Sequence, residues 1–107
     1  MTPIREDLAM HVLTVCYGHP ADPAAFDDYY MSTHKPLAGK MPGVLSYTIR
    51  HCASLDDSAP PYFLIAELAW ESAAAMSAGM SSPEGAAAAA DVPNFADGGV
   101  TMFVAYD

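Results

Sequence analysis

Along the chain, hydrophobic positions switch between an alternating period and a helical one, and each switch marks an element. Met10–Tyr17, MHVLTVCY, is rich in β-branched and aromatic residues and stops at Gly18, which predicts a first strand. Leu13, Val15 and Tyr17 fall on one side of it, Val12, Thr14 and Cys16 on the other, so both faces need cover. Val44–Cys52 alternates cleanly, with Leu45, Tyr47 and Ile49 opposed to Ser46, Thr48 and Arg50, and reads as a second strand. A third strand, Tyr62–Trp70, puts Tyr62, Leu64, Ala66, Leu68 and Trp70 on one face and Phe63, Ile65 and Glu67 on the other. Val100–Tyr106, VTMFVAY, is the fourth.

Between the first two strands the period becomes helical. Asp22 is placed as an N-cap with Pro23 at the first helical position. Phe26, Tyr30 and His34 follow at spacings of four, with Tyr29 on the same side. Pro36 disfavours helical geometry at Lys35, so the helix is expected to end near His34, with one further turn over Leu37–Met41 before Pro42-Gly43. Two more short helices are predicted, Ser72–Met80 and the alanine run from Ser82-Pro83 to just before Val92-Pro93, followed by a turn-rich loop over Asn94–Gly99. The order βαββαβ predicts an α+β, ferredoxin-like fold with a four-stranded antiparallel sheet. Helices there cover one face only. Since the first, third and fourth strands are apolar on both, a second copy of the sheet is expected against the other face, giving a homodimer.

Composition sharpens this picture. A chain of 107 residues is one domain. Its hydrophobic fraction of 52% argues against disorder, and its charged fraction of 16% is low enough to point to apolar surface covered by another subunit. A net charge of −9, with four cations in the whole chain, argues against nucleic acid and against anionic membrane. Residues 1–9 read as a flexible polar arm without the apolar run of a signal peptide, and the most apolar segment, Tyr62–Trp70, is interrupted by Glu67. No membrane span is expected, and the cytoplasm is the default location. Cys16 and Cys52 fall on strands that the ferredoxin-like order separates by a third, about 9–10 Å apart. A disulfide needs roughly 4.4–6.8 Å between Cα atoms, so two free thiols are expected.

The stretch DPAAFDDYYMSTHKPL, the Pro42-Gly43 pair before an aromatic-bearing strand, and SPEGAAAAADVPNF together resemble the EthD-like family of the dimeric α/β-barrel superfamily. The resemblance spans Met10 to Tyr106. It implies two ferredoxin-like sheets facing each other in a dimer, and a cavity between each sheet and its own helices. It also implies association with an ether-degrading monooxygenase system, and hence the loose label oxidoreductase. Wider relatives include cofactor-free monooxygenases, isomerases and cyclases, so the fold alone does not choose a reaction.

Several side chains could carry chemistry. His34 stands where the helix is expected to break, with an ordinary pKa suited to proton transfer at neutral pH. The alternative is a histidine that orders the Lys35–Pro42 connection. Tyr30 is the second catalytic candidate, as a phenol that donates or orients. Tyr29, Phe26, Tyr47, Trp70, Asn94 and Phe95 are candidates for a substrate-binding wall, with ordinary core packing as the competing role. Glu67, alone in an apolar strand, needs a partner, and pairing across the dimer barrel is the preferred account. No metal is expected, because the four histidines lack ligand spacing and there is no C-x-x-C. Haem is disfavoured because no histidine or cysteine follows Cys52, and no nucleotide-binding glycine motif is present, so no cofactor is expected.

The expected function is a cofactor-free enzyme, related to oxidoreductases or monooxygenases, acting on a small apolar, aromatic or ether-type metabolite through His34. The alternative is a non-catalytic accessory module that holds such a metabolite or supports an oxygenase system.

Overall fold

The computed structural model describes residues 9–107, so the arm expected at residues 1–9 lies outside it but for its last residue. Strand β1, His11–Tyr17, leads to helix α1, Pro23–Tyr29, which passes through a wider π-turn over Tyr30–His34 into a short α2, Lys35–Ala38. Then come β2, Ser46–His51, β3, Leu64–Trp70, helices α3, Ala73–Ser81, and α4, Pro83–Asp91, a 3-10 turn over Val92–Asn94, and β4, Val100–Tyr106. The sheet is antiparallel throughout in the order β2-β3-β1-β4, the ferredoxin-like arrangement. Among the described residues no helix is long and apolar enough to cross a membrane.

Helix starts follow the predicted chemistry. Asp22 accepts from the Ala25 amide, Ser72 from Ala75 and Ser82 from Gly85, each satisfying an otherwise orphaned N–H in the first turn. The end of the first helix departs from expectation. It does not stop at His34: the Lys35 amide reaches back five residues to the Tyr30 carbonyl, and the chain continues helically through Pro36. In a regular α-helix Pro36 offers no N–H to the carbonyl of Ser32 and its ring collides with it. One extra residue in the turn relieves that collision, so the proline produces a π-turn where a break was expected.

Register sorts the two sheet faces. Tyr47, Leu68, Leu13 and Val104 lie in one row across the helix side, while Thr48, Glu67, Thr14 and Phe103 lie in a row on the other. The preferred account of Glu67 needs correction here. Its partner is Arg50 of the same chain on the adjacent strand, with Nη1 at 3.2 Å from Oε1, and the pair is partly solvated. Cys16 on β1 and Cys52, just past the end of β2, are both free, with β3 between those two strands.

Trp70 is the most deeply buried side chain, and its Nε1–H donates to the Pro42 carbonyl at 3.0 Å. That bond ties the end of β3 to the turn where Gly43 adopts a left-handed φ of 81°. The uncovered surface concentrates on β4. Val100, Met102, Phe103, Val104 and Tyr106 are all exposed, on both faces of an edge strand. On the face away from the helices Thr14 and Cys16 are buried at the sheet centre, while Ile65 and Glu67 beside them are half-buried and Phe103 is exposed.

Candidate functional site

Between the helix side of the sheet and the helices lies a cavity of about 260 Å³. Leu13, Val15 and Leu68 form its floor, and Gly85, Ala88 and Ala89 of α4 form much of its roof. The alanine run explains why the space exists: side chains this short do not reach the sheet. One wall comes from the π-turn, through Tyr30 and His34, and the exposed Met80 and Met102 stand at its border. The lining is almost entirely carbon, with three phenols and one imidazole as its polar groups.

His34 is held by a carboxylate far from it in sequence. Its Nδ1 lies 3.0 Å from Oδ2 of Asp91, and both residues are buried. A carboxylate accepts only, so Nδ1 carries the proton and Nε2 keeps its lone pair. Oδ1 of Asp91 accepts from the Tyr29 hydroxyl at 2.5 Å and from the Asn94 amide at 3.1 Å. Burial pulls the His34 pKa below its ordinary value, and the hydrogen bond and charge of Asp91 offset only part of that. Burial by itself raises the Asp91 pKa, but the bonds from Tyr29, Asn94 and His34 outweigh it and hold the carboxyl below its usual range. The pair at neutral pH is therefore a neutral imidazole on an ionised carboxylate. Behind it the Phe95 ring packs at 4.6 Å between centroids and fixes the imidazole plane.

Asp91 ends α4, where the helix dipole disfavours a negative charge. A residue that breaks a local rule inside a buried network is placed there for something other than helix stability. In the sequence it sits within the A-D-x-x-N-F stretch, and that conflict with the helix end was the signal available.

The three phenols are Tyr17, Tyr30 and Tyr47. The Tyr30 and Tyr47 hydroxyls share a hydrogen bond at 2.6 Å. Tyr17 stands beside them with its ring 5.6 Å from that of Tyr30, and its hydroxyl interacts with the Tyr30 hydroxyl, so the three phenols form one network. Burial pushes all three pKa values up, so the phenols stay protonated.

Of the residues singled out from the sequence, His34, Tyr30 and Tyr47 therefore meet at one cavity. The others do not line it. Trp70 is packed away under Gly79 and Gly43. Phe26 and Phe95 form the aromatic packing behind Tyr30 and His34. Tyr29 and Asn94 reach the site only through Asp91, and they border a separate cleft on the far side of it. Tyr17 carries no site signal in the sequence beyond its place on a strand, and its alternation with Leu13 and Val15 is what aims it at the helices. Among the described residues no three His, Cys, Asp or Glu side chains come close enough to share a metal ion.

Comparison with known proteins agrees with this architecture. The family model described as EthD domain matches residues 18–99. An uncharacterized 11.0 kDa protein from the thcB-thcC intergenic region of Rhodococcus erythropolis is 50% identical over 93 residues, which are 87% of this chain and 90% of the relative. The crystal structure of an ethyl tert-butyl ether D family protein from Bacillus halodurans superposes with a TM-score of 0.85 at 26% identity, over 92% of this chain and 98% of that one. A dimeric ferredoxin-like protein of unknown function from Thermobifida fusca superposes with a TM-score of 0.69 at 12% identity, over 92% of each chain.

Proposed function

The chain belongs to the EthD domain family, and from that premise we propose that it is a cofactor-free enzyme acting on a small apolar compound, with His34 as the proton-transfer group. The observation that carries this reading is the His34–Asp91 pair at the cavity wall. The Nδ1 proton is committed to Asp91, so Nε2 serves as the base on the cavity side. Asp91 is a positioning residue, and Tyr30 with Tyr47 orients the substrate through its hydroxyl. The carbon lining favours an apolar body, and about 260 Å³ lies below the roughly 300–1,000 Å³ usual for drug-sized ligands, so the compound is small. The name of the Bacillus halodurans relative, which refers to ethyl tert-butyl ether, agrees with a ligand of that compact apolar kind.

The test begins by screening small apolar compounds for binding by native mass spectrometry and then measuring conversion of those that bind. His34→Gln is expected to keep binding and melting temperature while losing conversion about a hundredfold or more. Wild-type conversion by His34→Gln removes the base role. Compounds that bind tightly and are never converted by the wild-type protein would favour a holding or accessory role.

The same reading includes a homodimer. An edge strand with five exposed apolar side chains is an aggregation hazard unless something covers it. The Thermobifida fusca neighbour is described as dimeric, and this chain shares its fold. Light scattering is expected to give about twice the 11.3 kDa chain mass across a wide range of concentration. A Phe103→Asp variant should shift it to the monomer, and a wild-type monomer at all concentrations would remove the dimer.

A further inference from the structure

We infer that the cavity is built for a neutral, enolisable carbonyl compound, whose oxygen is received by the hydroxyl network of Tyr17, Tyr30 and Tyr47 while His34 takes a proton from the adjacent carbon. This deepens the proposed function and rests on it.

Three phenols supply three O–H donors, and the Tyr30–Tyr47 bond uses one. The member of that pair that accepts still has its own O–H to give. Tyr17, 2% exposed at the end of a central strand, is joined to Tyr30 by a second hydrogen bond, so the three hydroxyls keep one O–H to give between them. Among the described residues no sealed side-chain oxygen or nitrogen lacks a partner. All three tyrosines line the cavity, and the spare O–H of their network belongs to its wall. One donor thus faces the apolar chamber without an acceptor of its own. A buried hydroxyl is costly to leave unpaired, so the missing partner is an acceptor atom on a ligand.

Charge then selects the acceptor. Among the described residues no lysine or arginine lines the cavity, and Asp91 already places a negative charge beside it. A carboxylate or phosphate brought in whole would be buried without a counter-ion. A ketone or aldehyde enters neutral. When Nε2 of His34 removes a proton from the carbon next to the carbonyl, the C–H pair becomes a C=C bond and the carbonyl π pair moves onto oxygen. The enolate and the imidazolium form in the same step, so the cavity gains no net charge. The phenols supply hydrogen bonds at the oxygen where the negative charge develops. Asp91 faces the imidazolium as it forms. Return of the proton, to the same carbon or another, regenerates neutral His34 with no oxidant or second reactant.

Acetophenone is a suitable probe, being small, apolar and neutral, with exchangeable protons beside its carbonyl. In D₂O the wild-type protein is expected to exchange those protons faster than buffer of matched imidazole content, followed by proton NMR. Tyr17→Phe and Tyr47→Phe should each slow exchange by about tenfold to a hundredfold, the effect of losing one hydrogen bond to a charged acceptor. Their binding of ethylbenzene, which lacks the oxygen, should stay unchanged, and both variants should remain folded. His34→Gln should abolish exchange. If His34→Gln is inactive but both phenylalanine variants exchange at the wild-type rate, the base survives and the oxygen site proposed here does not. No exchange above buffer by the wild-type protein, whether from failure to bind or to react, overturns the carbonyl assignment and leaves the wider compound screen to judge His34.

Discussion

Asp91→Ala is expected to destabilise the protein by about 3–5 kcal/mol, since each buried donor left without its acceptor costs about 1–3 kcal/mol. The substitution strands three donors at once: Nδ1 of His34, the Tyr29 hydroxyl and the Asn94 amide. Each loses a charge-assisted bond, and only Tyr29 and Asn94 can turn toward water in their own cleft. For a domain of this size the melting temperature should fall by roughly 15 °C or more. Asp91→Asn separates stability from chemistry. Its amide oxygen still accepts from Tyr29 and Asn94, so the loss in melting temperature is smaller. Its NH₂ group, however, faces Nδ1 of His34 and forces the other tautomer, with the proton on Nε2. That variant should stay folded and lose conversion, and nitrogen NMR of the imidazole should report the tautomer change. Full activity in Asp91→Asn would remove Asp91 as the residue that orients the base.

The pH dependence of stability follows from the same pair. The folded pKa of His34 lies below its ordinary 6.5, so the native state binds fewer protons than the unfolded chain. Its contribution is complete above about 6.5 and is lost as pH falls from there toward the folded value. Asp91 also has its folded pKa depressed, below 3.8, so its contribution holds above that value and disappears as pH falls further. Urea midpoints measured against pH should therefore decline in two steps, and the upper step should vanish in His34→Gln.

Trp70→Ala should cost about 3–5 kcal/mol, because the ring is fully buried and the space it leaves cannot collapse against a sheet. Gly79→Ala reaches the same contact from the other side. A Cβ at that position would stand 2.6 Å from Trp70 Nε1 and 2.7 Å from the Pro42 carbonyl, closer than a side chain permits. Helix α3 must lift or the indole must tilt away from Pro42, at a cost of about 1–3 kcal/mol. The two effects should not add. With the indole gone, the new methyl group meets only the Pro42 carbonyl, so the double variant should be more stable than the sum of the single losses by about 1 kcal/mol. Additive losses in thermal or urea unfolding would mean that Gly79 and Trp70 do not share the contact.

The candidate site was legible in halves. Tyr30 and His34 could be found because helical spacing of four brings them to one face, and Tyr47 because strand alternation turns it to the helix side. Trp70 obeys the same alternation yet lines no cavity. Its position opposite His11 at the end of β3 puts it under α3, where the glycine lets a backbone approach. Asp91 lies 57 residues from His34, and no local pattern joins them. The π-turn was invisible for a related reason. A proline marks helix disruption in sequence, but whether the chain stops or widens depends on what packs against the following turn, and here α2 packs against α4.

By itself the sequence determined the element order, the sheet topology, the helix caps, the free thiols and the presence of a histidine on the aromatic face of the first helix. Those features rest on periodicity, capping and strand separation, interactions that act over a few residues or follow from chain order alone. Only the tertiary structure decided that the histidine is clamped by Asp91, that Tyr17 joins the two other phenols, and that the alanine roof leaves a chamber above them. Each of these is a meeting of side chains from distant segments. Burial makes an unpaired donor or charge costly there, and that cost is what selects the partner.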